Sequence, residues 1–167
     1  MKTFLAHAPA APRTEANPAR TTPAVAANPR AMLNQVLDDC QRTLPDNLRL
    51  ARRFWPNLPA AVALPAADLE RVVSDAVRQA IDALGDGGEI TVMAHPTEVR
   101  GGMGGGLAPG RYLLVTVQAS GWMFAPELPL RVPPGVDLAW RAARDGAGAG
   151  VCLRVPVARE DGQTPSW

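Results

Sequence analysis

Between Asp68 and Leu84 the chain reads DLERVVSDAVRQAIDAL, with Leu69, Val72, Val73, Ala76, Val77, Ala80, Ile81 and Leu84 recurring at i, i+3, i+4 and i+7. That period lines one side of a helix with apolar groups and predicts a helix packed against a core. Asp68 is its expected N-cap, and Gly85, opening the turn GDGG, its expected stop. A shorter stretch from Ala31, AMLNQVLDDCQRTL, puts Met32, Val36, Leu37, Cys40 and Leu44 on one helical face before Pro45 ends it.

Elsewhere the alternation is that of strands. NLRLARRFW sets Leu48, Leu50 and, more loosely, Phe54 against arginines, as a strand with one exposed face does. AAVAL reads as a further short strand, EITVMAH as a longer one after the Gly turn, and RYLLVTVQA as its antiparallel partner across the connector GGMGGGLAPG. ELPLRVPPG holds too much proline for a helix or a central strand. VDLAWRAARD is expected to be a short helix and GVCLRVPVA a closing strand. The order predicts an α+β fold, a two-layer sandwich with helices on one face of a mixed, mostly antiparallel sheet.

Composition narrows the organisation. Of the 167 residues, 17 are proline, and Pro9, Pro12, Pro18, Pro23 and Pro29 punctuate an Ala/Pro/Thr/Arg-rich beginning. Residues 1–30 are therefore expected to be a disordered tail, 31–158 the folded domain and 159–167 a C-terminal tail. A net charge of +1 gives no electrostatic case for nucleic acid. Lys2 is the single lysine, so no Schiff-base or phosphate-loop lysine is available.

Cys40 and Cys152 stand apart without metal spacing and read as free thiols in a reducing compartment. Neither His7, in the Pro-rich tail, nor His95, before Pro96, sits on a helix, which leaves no phospho-acceptor helix and no zinc site. No apolar run is long enough for a bilayer, and the start MKTFLAHAPAAP is too interrupted for a signal peptide. The expected location is the cytoplasm, with no membrane contact.

From about Met32 to Ala158 the order of elements resembles the ATP-binding domain shared by histidine kinases, gyrase and heat-shock chaperones, the GHKL or HATPase fold. The likeness is carried by LERVVSDAVRQAIDAL followed by GDGGEITV, by VTVQASGWMFAPE, and by the ending GAGAGVCLRVP. It rests on order and spacing more than on invariant letters. The resemblance implies a nucleotide pocket bordered by the long helix, an Asp-x-Gly-x-Gly turn after a central strand, and a Gly-rich lid.

Carried over residue by residue, those positions have changed. The helical asparagine that holds Mg²⁺ in the family falls on Gln79, whose extra methylene disturbs the geometry magnesium requires. The earlier asparagine falls on Asp75, and Asp82 matches the family's helical aspartate. Asp75, Gln79 and Asp82 share one polar stripe, which read alone is the solvated side of an amphipathic helix and under the resemblance borders the pocket. The carboxylate that reads adenine falls on Ala119, the first glycine of the turn on Gly121 and the second on Met123, with Trp122 between them. Trp122 and Met123 are either ordinary core residues or a plug in an adenine-sized space.

At the phosphate end Gly135 matches a lid glycine, but the next falls on Asp137, and the strand usually found between that region and the ending is expected to be missing. Gly146, Gly148 and Gly150 match the final glycine-rich turn, where Ala149 replaces a threonine. That turn serves equally as a plain connector.

Three readings follow. The first is a non-catalytic signalling module with a kinase-like ATPase frame, no resident cofactor, and a protein partner such as a response regulator or a histidine kinase. The second is an ATP- and Mg²⁺-binding stand-alone kinase of the anti-sigma-factor type with an atypical site. The third is a small α+β protein whose likeness is fortuitous.

Overall fold

A computed structural model describes residues 28–85, 87–100, 107–120, 130–142 and 148–158. The expected N- and C-terminal tails lie outside these residues, apart from Asn28, Pro29 and Arg30. Two helices, α1 (Pro29–Arg42) and α2 (Ala66–Leu84), cover one face of a five-stranded sheet. Its strands are β1 (Leu48–Phe54), β2 (Gly88–Val99), β3 (Gly110–Ser120), β4 (Asp137–Ala142) and β5 (Gly148–Pro156), in the spatial order β1-β2-β3-β5-β4. β1 runs parallel to β2, reached through α2, and every other neighbouring pair is antiparallel. The α+β sandwich with a mixed, mostly antiparallel sheet is the architecture the patterning predicts.

The two periodicities meet in one core. Leu69, Val72, Val73, Ala76, Val77, Ala80 and Leu84 of α2 are buried, as are Met32, Leu33, Val36 and Leu37 of α1. They pack onto the row Ile90, Val92 and Ala94 of β2, Leu113, Val115, Val117 and Ala119 of β3, and Ala149, Val151, Leu153 and Val155 of β5. Each large side chain so buried contributes about 1.5–3 kcal/mol relative to exposure.

Several local expectations are corrected. α1 begins ahead of Ala31, because Pro29 suits the first helical position and the Asn28 side chain accepts from the N–H groups of Arg30 (3.1 Å) and Ala31 (3.3 Å). Asp68 is not the cap of α2. The helix starts at Ala66 after Pro65, and Asp68 sits in the first turn paired with Arg71 at 3.3 Å. Gly85 does end α2, with φ +32. AAVAL forms a single bridge, Val62 to Val157, and no strand.

The largest correction concerns VDLAWRAARD, whose residues Asp137–Ala142 form strand β4 and not a helix. Val136, Leu138 and Trp140 are partly buried against the core at a spacing of two, and β5 offers Leu153 and Val151 opposite the last two. The strand expected to be missing before the glycine-rich ending is therefore present. The period-two signal was there to be read, but six residues rich in Ala and Arg also suit a short helix.

Candidate functional site

Strand parity sorts the candidate residues onto two faces. In β3, residues 113, 115, 117 and 119 face the helices, and the intervening ones face the open side of the sheet. Ala119 is thus the last residue of the core row, only 4% exposed, with Ile90 of β2 and Ala149 of β5 as its register partners. It belongs to the hydrophobic core cluster, as do both of these partners. The following residues Gly121, Trp122 and Met123 lie outside the described residues, as does Gly146.

Asp75, Gln79 and Asp82 form the stripe that the spacing predicts. At about 100° per residue they centre roughly 130° round α2 from its buried row. Asp75 and Gln79 are half-buried and Asp82 is exposed. Asp75 has Arg78 at 3.9 Å, one turn along the same helix. Among the described residues no group of three His, Cys, Asp or Glu side chains could hold a metal ion.

The glycines that match the lid and the final turn have local reasons to be glycine. Gly135 has φ +84 and occupies the third position of a turn closed by Val136 N–H donating to Pro133 O at 3.2 Å. Pro134 before it fixes the second position, so the stretch PPGV follows the type II pattern that favours Pro then Gly. From Leu130 to Ala142 no residue is helical, and the turn leads directly into β4. Gly150 lies opposite Gln118, and a Cβ there would stand 2.9 Å from Val117 O and 3.0 Å from Gln118 Cγ. Gly148 opens β5 opposite Ser120.

Asp137, expected beside the phosphate end, lies on the open face of the sheet. It is the register partner of Arg154, and the Arg154 guanidinium donates to its carboxylate. Its charge is matched within the sheet and sits on the opposite face from α2 and Ala119.

Both described cysteines are free thiols. Cys152 is buried on the open-face side with Thr116 Oγ1 at 3.6 Å from its sulfur. Cys40 is half-buried, and desolvation raises its pKa against the lowering effects of a Ser74 hydrogen bond and the Arg78 and Arg52 charges. His95 lies within β2, not at its end, with its ring 5.1 Å from that of Trp55. No described helix is long and apolar enough to cross a membrane.

No protein-family profile matches the chain, and no curated protein matches it significantly. Solved structures do. The full-length histidine kinase ShkA in complex with AMPPNP is 15% identical over 80% of this chain and 31% of that one, with a TM-score of 0.59. The nucleotide-free catalytic domain of the histidine kinase ThkA is 15% identical over 78% of this chain and 94% of its own length, with a TM-score of 0.56. ThkA in complex with the response regulator protein TrrA is 14% identical over 79% of this chain and 41% of that one, again at 0.56. Identities this low speak for architecture alone. The chain carries the fold of histidine-kinase catalytic domains.

Proposed function

We propose that this chain is a non-catalytic signalling module: a kinase-type ATPase frame that binds a protein partner and has no working nucleotide site. The observation that carries the proposal is the burial of Ala119 between Ile90 and Ala149. At the position where the resemblance puts the adenine-reading carboxylate, the chain offers a methyl group in an alkyl setting. A site that reads its ligand by a buried hydrogen bond loses several powers of ten in discrimination when that partner is absent.

The phosphate end supports the same reading. The resemblance calls for backbone amides and a helix N-terminus to hold the phosphates. Leu130–Ala142 instead runs through a tight turn into a strand, whose net dipole is small. Arg78 comes no nearer to Asp75 than 3.9 Å, and Gln79 stands where the resemblance puts a shorter amide on magnesium. These residues fit Mg-ATP poorly, and no chemical step is assigned to it.

The partner is a protein of two-component signalling, a response regulator or a histidine kinase. Support comes from the shared fold and from the structure of ThkA with its response regulator. The position of the domain at 31–158 and of the tails around it belongs to the same reading, as does a cytoplasmic location.

Two measurements test it. Equilibrium dialysis with radiolabelled ATP and Mg²⁺ should give no saturable binding up to millimolar nucleotide. Micromolar binding abolished by EDTA would overturn the proposal in favour of an atypical ATP-binding kinase. Affinity capture from the source lysate should return a response regulator or a kinase.

A further inference from the structure

The sheet has two edge strands, β1 and β4, and β1 carries the more unusual surface. Trp55 N–H donates to Ala94 O at 3.0 Å and Asn47 O accepts from Gly88 N–H at 3.3 Å, so the odd-numbered backbone groups point toward β2. By alternation the N–H and C=O groups of Leu50, Arg52 and Phe54 point outward along the edge.

Arg49, Ala51, Arg53 and Trp55 lie on the open face, and the first and third are exposed. Among the described residues neither arginine is in a salt bridge. Glu89, opposite Arg49, accepts instead from Thr91 Oγ1 at 3.2 Å. Arg52, on the helix side, is neutralised by Asp38 at 2.7 Å.

The end of the strand is an aromatic platform. Trp55, at 56% exposure, is the one exposed large apolar residue among those described. Its ring lies against His95, and its backbone is tied down by Arg30, which donates to the Trp55 carbonyl at 2.5 Å and to that of Pro56 at 3.3 Å. An exposed tryptophan beside Arg53, which is in no salt bridge among the described residues, has the composition of an interface hot spot. Arginines along an edge do discourage pairing with a second copy of the same edge, since like charges would face each other. They favour a strand of opposite sign.

We infer that the β1 edge accepts an extended acidic segment of a partner protein as a sixth strand. Its backbone pairs with Leu50, Arg52 and Phe54, its carboxylates meet Arg49 and Arg53, and an apolar side chain rests on Trp55. Backbone pairing supplies affinity and the alternate side chains supply selectivity, as in other strand-addition complexes. The inference goes beyond the reading as an adaptor by naming a surface and a partner chemistry. It concerns an edge two strands away from Ala119, so its failure would leave the nucleotide result standing.

The test uses the full chain and a fluorescein-labelled synthetic peptide in which Glu and a terminal Leu alternate with Thr, so that the carboxylates and the apolar side chain share one face of the strand, followed by fluorescence anisotropy. Saturable binding is expected. It should weaken at least tenfold with a peptide N-methylated at alternate residues, and at least tenfold in the R49E/R53E variant. That variant should instead bind the same peptide with Lys in place of each Glu, a reversal that a misfolded protein would not produce. Trp55→Ala should also weaken binding. Equal binding of the N-methylated peptide would overturn the inference, as would no binding at millimolar peptide. So would preferential binding of a single-stranded oligonucleotide competed by salt alone.

Discussion

Ser120 Oγ lies between the backbone groups of Glu89, accepting from its N–H at 3.1 Å and donating to its C=O at 3.4 Å. It closes the pairing of β2 and β3 at the point where the chain leaves α2. Gly88 arrives there with φ +149, and a Cβ on it would stand 2.9 Å from the same Ser120 oxygen. The hydroxyl and the missing side chain are complementary. Ser120→Ala should cost about 0.5–1.5 kcal/mol in urea unfolding, the net worth of a hydrogen bond at a surface. Gly88→Ala should cost more, because it adds backbone strain to the clash. The double variant should be less destabilised than the sum of the two, since removing the oxygen removes the clash. Strict additivity would show that Ser120 does not set the glycine requirement.

Asp137 and Arg154 join β4 to β5 across the open face, with side chains 32% and 21% exposed. A pair this shielded should couple more strongly than a fully exposed one. A double-mutant cycle with Asp137→Asn and Arg154→Met is expected to give roughly 1 kcal/mol, at the upper end of surface ion pairs and weakened by salt. A coupling indistinguishable from zero at low ionic strength would mean that β4 is held by Leu138 and Trp140 alone.

The period of α2 is strong because seven of its buried residues point at one sheet. A long helix over a sheet leaves a trace that survives any one substitution. The sequence of β4 suits a helix as well because its apolar face has only Leu138 and Trp140, with Val136 just ahead of it, and its strand character is settled by β5 rather than by local preference. Asp68 reads equally as a cap or as a first-turn residue because acidic residues suit both places, and the structure puts it in the first turn. The stripe Asp75, Gln79 and Asp82 was legible as a stripe from spacing alone. The role of Gly135 is legible in its own PPGV turn pattern, whereas that of Gly150 is not, since it arises from the backbone of the neighbouring strand at Val117. The roles of Ser120 and Trp55 leave no local trace in sequence, because their partners, Glu89 and His95, are distant along the chain.

Cys40 offers a pH-dependent check on the packing of α1 against α2. Burial holds its thiol above the ordinary value of 9.0, opposed by Ser74, Arg78 and Arg52 and assisted by Asp39. A folded pKa above the unfolded one means that the thiol's contribution is complete below the unfolded value. It is lost as pH rises through that value toward the folded one, because the unfolded chain ionises first. Unfolding free energy should therefore decline over the alkaline range, and Cys40→Ala should flatten part of that decline. Reaction of native protein with a thiol reagent at about pH 8 should be slower at Cys40 than in the unfolded chain, as expected for a thiol with little thiolate. Equal rates in the folded and unfolded protein would show that α1 does not shield it.

Ala119→Asp is the variant that separates a lost letter from a lost site. If the frame still contained a nucleotide pocket, restoring the carboxylate that the resemblance calls for would restore some grip on adenine. The surroundings argue against it: Ala119 is 4% exposed, with Ile90 and Ala149 as its register partners. An ionised carboxylate there would be buried without a partner, which costs about 1–3 kcal/mol or more. The variant should be destabilised by several kcal/mol at neutral pH and less so in acid, where the carboxyl is neutral. Ala119→Asn, of similar size and without charge, should lose less at neutral pH, and the two should converge as pH falls. Neither should bind ATP. A well-folded Ala119→Asp protein that bound Mg-ATP at micromolar concentration would show that the pocket had survived and only its reader had changed.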